Sequence, residues 1–373
     1  MMFRVLMRAL VLGTSFVVAM CVGLPVAPSY AQCPSSCGGT AQNVSWNGWT
    51  FSFLRPCLTR ATTAGGRGGG IEVRNARFNG KEVFFKAHTP ILTVKYQNDA
   101  CGPFRDWQYE ESPFQCSPVV APGRCNGPAV TNCANPAGGD VSTFCGVSVD
   151  TSDPDQLVLT TMVRAGWYRY QLEWYFFRDG TFRPAIRWTG VPHPCLNNTH
   201  IHFVYWRIDF DIDGGSPNTI EEFNGNSPLV PGYWPSWDPL FVEMNRMKEP
   251  SGVRTWRVRN TTTGRAYRIS PPEALSDEVD GVAVAPQIAD IWALAYNSAL
   301  QEETDDCAGT PKLCTLGGGA GYWPHLSRFI TQTSSPNLLG KDVVFWYGAA
   351  HLHASGETSA PCHAINGPYC TPE

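Results

Sequence analysis

The chain alternates apolar and polar positions in short runs and sustains almost no helical period. Trp49-Thr50-Phe51-Ser52-Phe53 is one such run, and a period of two puts its aromatic rings on one face of a strand. Asn79-Gly80 separates Val73–Phe78 from Glu82–Lys86, and Asp179-Gly180 separates Trp167–Phe177 from Thr181–Thr189. Both dipeptides are strong hairpin signals, because the tight turns that match strand twist need residues tolerant of positive φ. Further β-branched and aromatic runs at Ile91–Tyr96, Leu157–Val163, Trp256–Asn260, Gly264–Ile269 and Ala289–Asn297 read as strands. The pattern predicts an all-β protein built as a large antiparallel β-sandwich.

Two longer runs carry candidate chemistry. The first extends from Thr199 to Asp213 and contains His200, His202, Asp209, Asp211 and Asp213. On a strand His200 and His202 emerge on the same face, so both imidazoles can grip one metal ion with a third ligand from elsewhere. The plainer reading of a His-x-His pair is two polar side chains near a surface. The aspartates, also at period two, form the oxygen-rich pattern a hard cation prefers. The second run, Lys341 to His353, opens next to Asp342 and closes on His351 and His353, which again share a face.

Composition narrows the class. Residues 1–31 carry Arg4 and Arg8, an apolar run from Ala9 to Leu24 and a small-x-small site at Ser29-Tyr30-Ala31. They read as a secretory signal removed by cleavage, with the protein secreted or periplasmic. The 28 basic residues include those two arginines, which leaves 26 against 32 acidic residues and a net charge of −6. That balance argues against nucleic acid or, after signal cleavage, a membrane as partner. Of 14 cysteines all but Cys21 lie beyond the signal, a density that fits an oxidising compartment. Proximity offers Cys33–Cys37, Cys116–Cys125, Cys133–Cys145, Cys307–Cys314 and Cys362–Cys370 as disulfides. The expected organisation is a signal (1–31), a Cys-containing segment (32–45), the sandwich (46–354) and a Cys-containing tail (355–373).

His200-Ile201-His202-Phe203 followed by Arg207-Ile208-Asp209-Phe210-Asp211-Ile212-Asp213-Gly214 resembles the copper-ligand strand of the copper amine oxidases. The segment from Gly70 to Ala87 is similar to the entry into their catalytic sandwich, and the hairpin at Trp167–Thr189 to the strands bearing their cofactor tyrosine. The resemblance implies Cu(II) held by His200, His202 and His353, with His351 as the alternative third ligand. It implies that Tyr168 is the precursor of topaquinone, Tyr96 the tyrosine that hydrogen-bonds it, and Glu110 the catalytic base. Asp106 and Glu111 are the fallback bases. A Ca2+ site is implied at Asp209, Asp211 and Asp342 with the carbonyls of Phe210 and Val343. The activity implied is oxidation of a small primary amine by O2 to aldehyde, ammonia and hydrogen peroxide. Family members are generally dimers, so a homodimer is expected unless the shortened hairpin region removes the arms that hold it.

The chain departs from the family motif on both sides of Tyr168. Trp167 stands where asparagine is usual, and Arg169 where an acid is usual. A guanidinium reverses the local charge and stays protonated. These two residues motivate the alternative, an extracellular copper-binding protein that keeps the sandwich without forming the quinone. A third reading, a glycan-binding sandwich, rests on the 13 tryptophans alone.

Overall fold

In the computed structural model the described residues are 41–54, 70–101, 104–105, 120–122, 147–165, 167–190, 193–223, 236–246, 248, 254–272, 290–297, 337–355 and 363–373. The signal segment, Glu110 with its fallbacks Asp106 and Glu111, and the cysteines at 33, 37, 116, 125, 133, 145, 307, 314 and 362 lie outside them.

The strands in chain order are β1 (Gln42–Trp46), β2 (Trp49–Leu54), β3 (Glu72–Phe78), β4 (Lys81–Tyr96), β5 (Phe104–Arg105), β6 (Val120–Pro122) and β7 (Val147–Asp150). Then come β8 (Gln156–Ala165), β9 (Tyr168–Phe177), β10 (Phe182–Gly190), β11 (His200–Phe210), β12 (Asn218–Phe223), β13 (Trp237–Pro239) and β14 (Met244–Arg246). The last are β15 (Thr255–Asn260), β16 (Ala266–Ser270), β17 (Ile291–Ala295), β18 (Val343–His353), β19 (His363–Asn366) and β20 (Tyr369–Pro372).

Among the described residues one sheet runs β1-β2-β3-β4-β11-β18-β17-β14, with β5 added on β4. The other runs β13-β12-β15-β16-β20-β10-β9-β8-β7-β6, with β19 added on β10. The short β6–β7 pair is parallel. Both hairpin signals lie at turns, with positive φ at Asn79 and Gly80 and at Gly180. At Gly180 a Cβ would also sit 2.5 Å from the ring of Phe78, so glycine is needed twice over. Among the described residues no helix is long and apolar enough to cross a membrane.

The core lies between the sheets. Trp49, Phe51, Phe84, Phe176 and Phe182 interlock there, with Phe51 stacked on Phe176 at 4.3 Å and Trp49 edge-on to Phe176 at 5.1 Å. Burial of each large side chain contributes about 1.5–3 kcal/mol. The Trp49 indole N–H also donates to the Phe177 carbonyl at 2.8 Å, tying the sheets together at that end. Every residue of β11 is buried, which explains why alternation is lost in its centre, Phe203-Val204-Tyr205-Trp206.

Three sequence expectations are corrected. Glu82–Lys86 and Ile91–Tyr96 are parts of one continuous strand, β4, that carries Pro90. The proline has no N–H to give, and the ladder with β11 shifts there, from Ile91 opposite Tyr205 to His88 opposite Arg207. Residues 355–373 are not simply a tail, because β19 and β20 complete the second sheet on β10 and β16. These strands are four residues long and broken by Gly367-Pro368, too short for alternation to reveal. Finally, Cys370 is a buried free thiol, so it does not pair with Cys362. The disulfide among the described residues joins Cys101 to Cys195 across 94 positions, a pairing proximity in sequence could not suggest.

Candidate metal centre

The His-x-His pair opens β11, and its neighbours are set by two ladders. On one side Tyr96 of β4 stands opposite His200, and on the other His353 and His351 of β18 stand opposite His200 and His202. The Cys101–Cys195 bridge and a Gln97 N–H donating to the Thr199 carbonyl hold the end of β4 to the entry of β11. Two strands of period two thus put four imidazoles side by side on the face toward the other sheet. His200, His202 and His353 each offer a nitrogen, and these atoms lie within 4.8 Å of one another. His351 is buried nearby but belongs to a different contact, with His363 at 4.4 Å between ring centres.

The opposing sheet supplies phenols. Tyr168 and Tyr170, both on the inward face of β9, reach His200 and His202: the Tyr168 oxygen is 2.6 Å from Nε2 of His200, the Tyr170 oxygen 3.1 Å from Nδ1 of His202. Nδ1 of His200 donates to the Asn198 carbonyl at 2.6 Å, which leaves the lone pair on Nε2. Tyr168 therefore donates to His200. Tyr96, 3.1 Å from the Tyr168 oxygen, donates to it in turn, and the Trp167 indole N–H donates to Tyr96 at 3.0 Å. The result is a directed relay from Trp167 through Tyr96 and Tyr168 to His200. Trp167 is itself stacked on His193 at 3.9 Å.

Electrostatics keep the triad neutral. Burial above all draws His200 down to about 4, opposed by the Asn198 carbonyl and assisted by His351. Burial, then His200, His363 and His351, draws His353 to about 3. His202 falls well below the ordinary value, again chiefly through burial. Neutral imidazole is the form that binds metal. The donor set fits an ion such as copper: Nε2 of His200 presents its lone pair inward, and Nε2 of His202 is buried with no hydrogen-bond partner among the described residues.

A second cluster occupies the opposite end of the same strand pair, roughly 30 Å away at 3.3 Å per residue. Asp209 ends β11, Asp211 follows it, and Asp342 precedes β18; their carboxylates also come within 4.8 Å of one another. Phe210 and Val343 face each other in the ladder between them. Burial, then Asp209 and Glu82, lifts Asp211 to about 7; burial, then Asp209 and Asp211, lifts Asp342 to about 7. Oδ1 of Asp342 is buried with no hydrogen-bond partner among the described residues, and a Cβ at Gly215 would lie 3.3 Å from Asp211 and 3.4 Å from Asp342. A side chain at Gly215 would crowd these carboxylates, and an all-oxygen donor set suits a hard cation such as Ca2+. Asp213 is turned away, in an ion pair with Arg265 at 2.8 Å.

No protein-family model and no curated protein matches the chain. Solved structures do. A copper-containing benzylamine oxidase from Hansenula polymorpha superposes with a TM-score of 0.56 at 15% identity over 94% of this chain. The chain has the fold of the copper amine oxidases. An amine oxidase from Aspergillus nidulans is similar at TM-score 0.56 and 15% identity over 94% of the chain, and a lysyl oxidase from Pichia pastoris at 0.55 and 15% over 89%. The chain spans only 63%, 55% and 51% of those three proteins respectively. Identity this low shows the fold and leaves the chemistry to the residues. Two residues of the centre were not singled out from sequence: Tyr170, hidden in an aromatic run, and His363, hidden in the apparent tail.

Proposed function

We propose that this is a secreted copper-dependent oxidase of primary amines, with Tyr168 as the precursor of its quinone. The observation that carries the reading is the Tyr168 hydroxyl 2.6 Å from Nε2 of His200, within a three-imidazole cluster on a copper amine oxidase fold. His200, His202 and His353 would hold the copper. Copper with O2 would supply the oxidation of the Tyr168 ring to topaquinone, a two-electron acceptor through which a primary amine, water and a further O2 would give aldehyde, ammonia and hydrogen peroxide. Tyr96, held by the Trp167 N–H, fixes the direction of the Tyr168 C–O bond; the Tyr168 proton points at Nε2 of His200 in the metal-free protein and would give up that lone pair to copper. Glu110, which lies outside the described residues, is the base the family resemblance assigns to accept the substrate's α-proton. Asp209, Asp211 and Asp342 would bind Ca2+ and pin the far end of β11 and β18.

The alternative is an extracellular copper-binding protein without the quinone. Trp167 and Arg169 favour it, since a tryptophan committed to Tyr96 and His193 replaces the usual small amide. One experiment separates the two. The purified protein is loaded with Cu(II) under air and its visible spectrum followed before and after phenylhydrazine. A broad band that shifts with the hydrazine supports the oxidase. Bound copper with no hydrazine-reactive band supports the copper-binding protein.

A further inference from the structure

Five of the eight histidines gather in one chamber, and the triad uses only three of them. The remaining two come from different sheets. His351 stands on β18 opposite His202, and His363 stands on β19 opposite Trp188 of β10. Their rings meet at 4.4 Å, and His363 is also 5.0 Å from His353. Trp188 walls the group, 5.1 Å from His202, 5.2 Å from His351 and 5.5 Å from His363.

The ring spacing has chemical content. Imidazoles bound to one ion through nitrogens about 2.0–2.1 Å away, at angles between a right angle and a tetrahedral or trigonal one, have ring centres roughly 4.5–5.5 Å apart. Within the triad the His200–His202 and His200–His353 separations are 5.0 and 4.5 Å. His351–His363 at 4.4 Å and His353–His363 at 5.0 Å match the same measure. His351 and His353 are farther apart, at 6.3 Å. That separation divides the five imidazoles into two overlapping groups with His353 at the join.

Packing alone gives a different expectation. A purely structural contact between two sheets is normally made by apolar rings, because burying imidazole nitrogens costs desolvation. Here both partners across the sheet interface are histidine, and both are almost wholly buried.

We propose that His351 and His363 form a second metal position beside the triad, taking a borderline first-row ion such as Cu(II) or Zn(II), so that the chamber holds two ions. Water completes the coordination where protein nitrogens do not. The β19 strand, and with it the last part of the chain, is then fastened to β18 through the ion. This proposal shares the chamber with the amine oxidase reading but does not require Tyr168 to be processed.

The test is metal stoichiometry on the full-length protein. Metal-free protein is titrated with Cu(II) and, separately, Zn(II), and bound metal is counted by elemental analysis. Wild type is expected to hold two ions per chain in the chamber. His363→Phe, which keeps a ring of similar bulk, and His351→Gln are each expected to hold one fewer. His200→Ala is expected to lose the triad ion and keep the other, which separates failure of this proposal from failure of the triad assignment. One chamber ion in wild type and in both His351 and His363 variants would overturn the second position. So would a single ion whose copper paramagnetic resonance spectrum changes in His363→Phe, since His363 would then serve the first ion. Thermal melts of all variants verify that each is folded.

Discussion

The Tyr168 hydroxyl donates to Nε2 of His200 at 2.6 Å, although the two residues stand on different sheets. The contact exists because Tyr168 opens β9 and His200 opens β11, each with its side chain turned into the same end of the sandwich. Replacing Tyr168 with phenylalanine removes the oxygen and keeps the ring. Copper content is expected to stay at the wild-type level, while the hydrazine-reactive visible band disappears. A band that survives in Tyr168→Phe would assign the quinone to another residue.

The choice between His353 and His351 as third ligand has a direct measurement. His353 stands opposite His200 with Nδ1 2.8 Å from its Nε2, whereas His351 turns to His363. His353→Ala is expected to weaken copper at the triad by more than about 100-fold, the upper range for losing only a supporting partner of a ligand. His351→Ala is expected to leave the triad affinity within a few-fold. Competition titration against a chelator of known affinity reads both, and equal losses would contradict the assignment.

At the acidic cluster the sign of the pH effect can be worked out. Asp211 and Asp342 are raised from 3.8 to about 7. A raised carboxyl favours the folded state while protonated, so this contribution is present below pH 4 and is lost as pH rises through about 7. The buried imidazoles have the opposite slope. Lowered from 6.5 to about 4 and about 3, His200 and His353 contribute stability above pH 6.5 that is lost as pH falls through those values. The windows overlap, so the acidic part is read as a difference between wild type and Asp342→Asn. Between pH 4 and 7 the metal-free wild type should lose stability relative to the variant. Ca2+ at a hundredfold excess over its Kd should restore about 2.7 kcal/mol to wild type at pH 8 and little to Asp342→Asn. Equal calcium responses would remove the cation assignment.

The Cys101–Cys195 bridge closes a loop of 94 positions and ties β4 to the entry of β11. Cys101→Ser is expected to cost about 2–4 kcal/mol in denaturant unfolding. It should also lower copper affinity, because the Tyr96–His200 pairing lies next to the bridge. Unchanged copper affinity with reduced stability would mean that the ladder alone positions His200.

By itself the sequence determined the class of fold, most strand positions and the four inward histidines of the two long strands. Alternation, Asn79-Gly80, Asp179-Gly180 and the period of two are local features, and local features survive without knowledge of the partner strand. The matching of His353 rather than His351 to His200 was decided by antiparallel register, a relation between residues 153 positions apart. Tyr170 and His363 entered the centre for the same reason. Each lies in a stretch that reads as ordinary core or as a short tail, and only the stacking of one sheet on the other brings it to a histidine. The long-range disulfide and the continuity of β4 through Pro90 likewise depended on which strands lie side by side. Side-chain period is a property of one strand; a metal centre is a property of how strands meet.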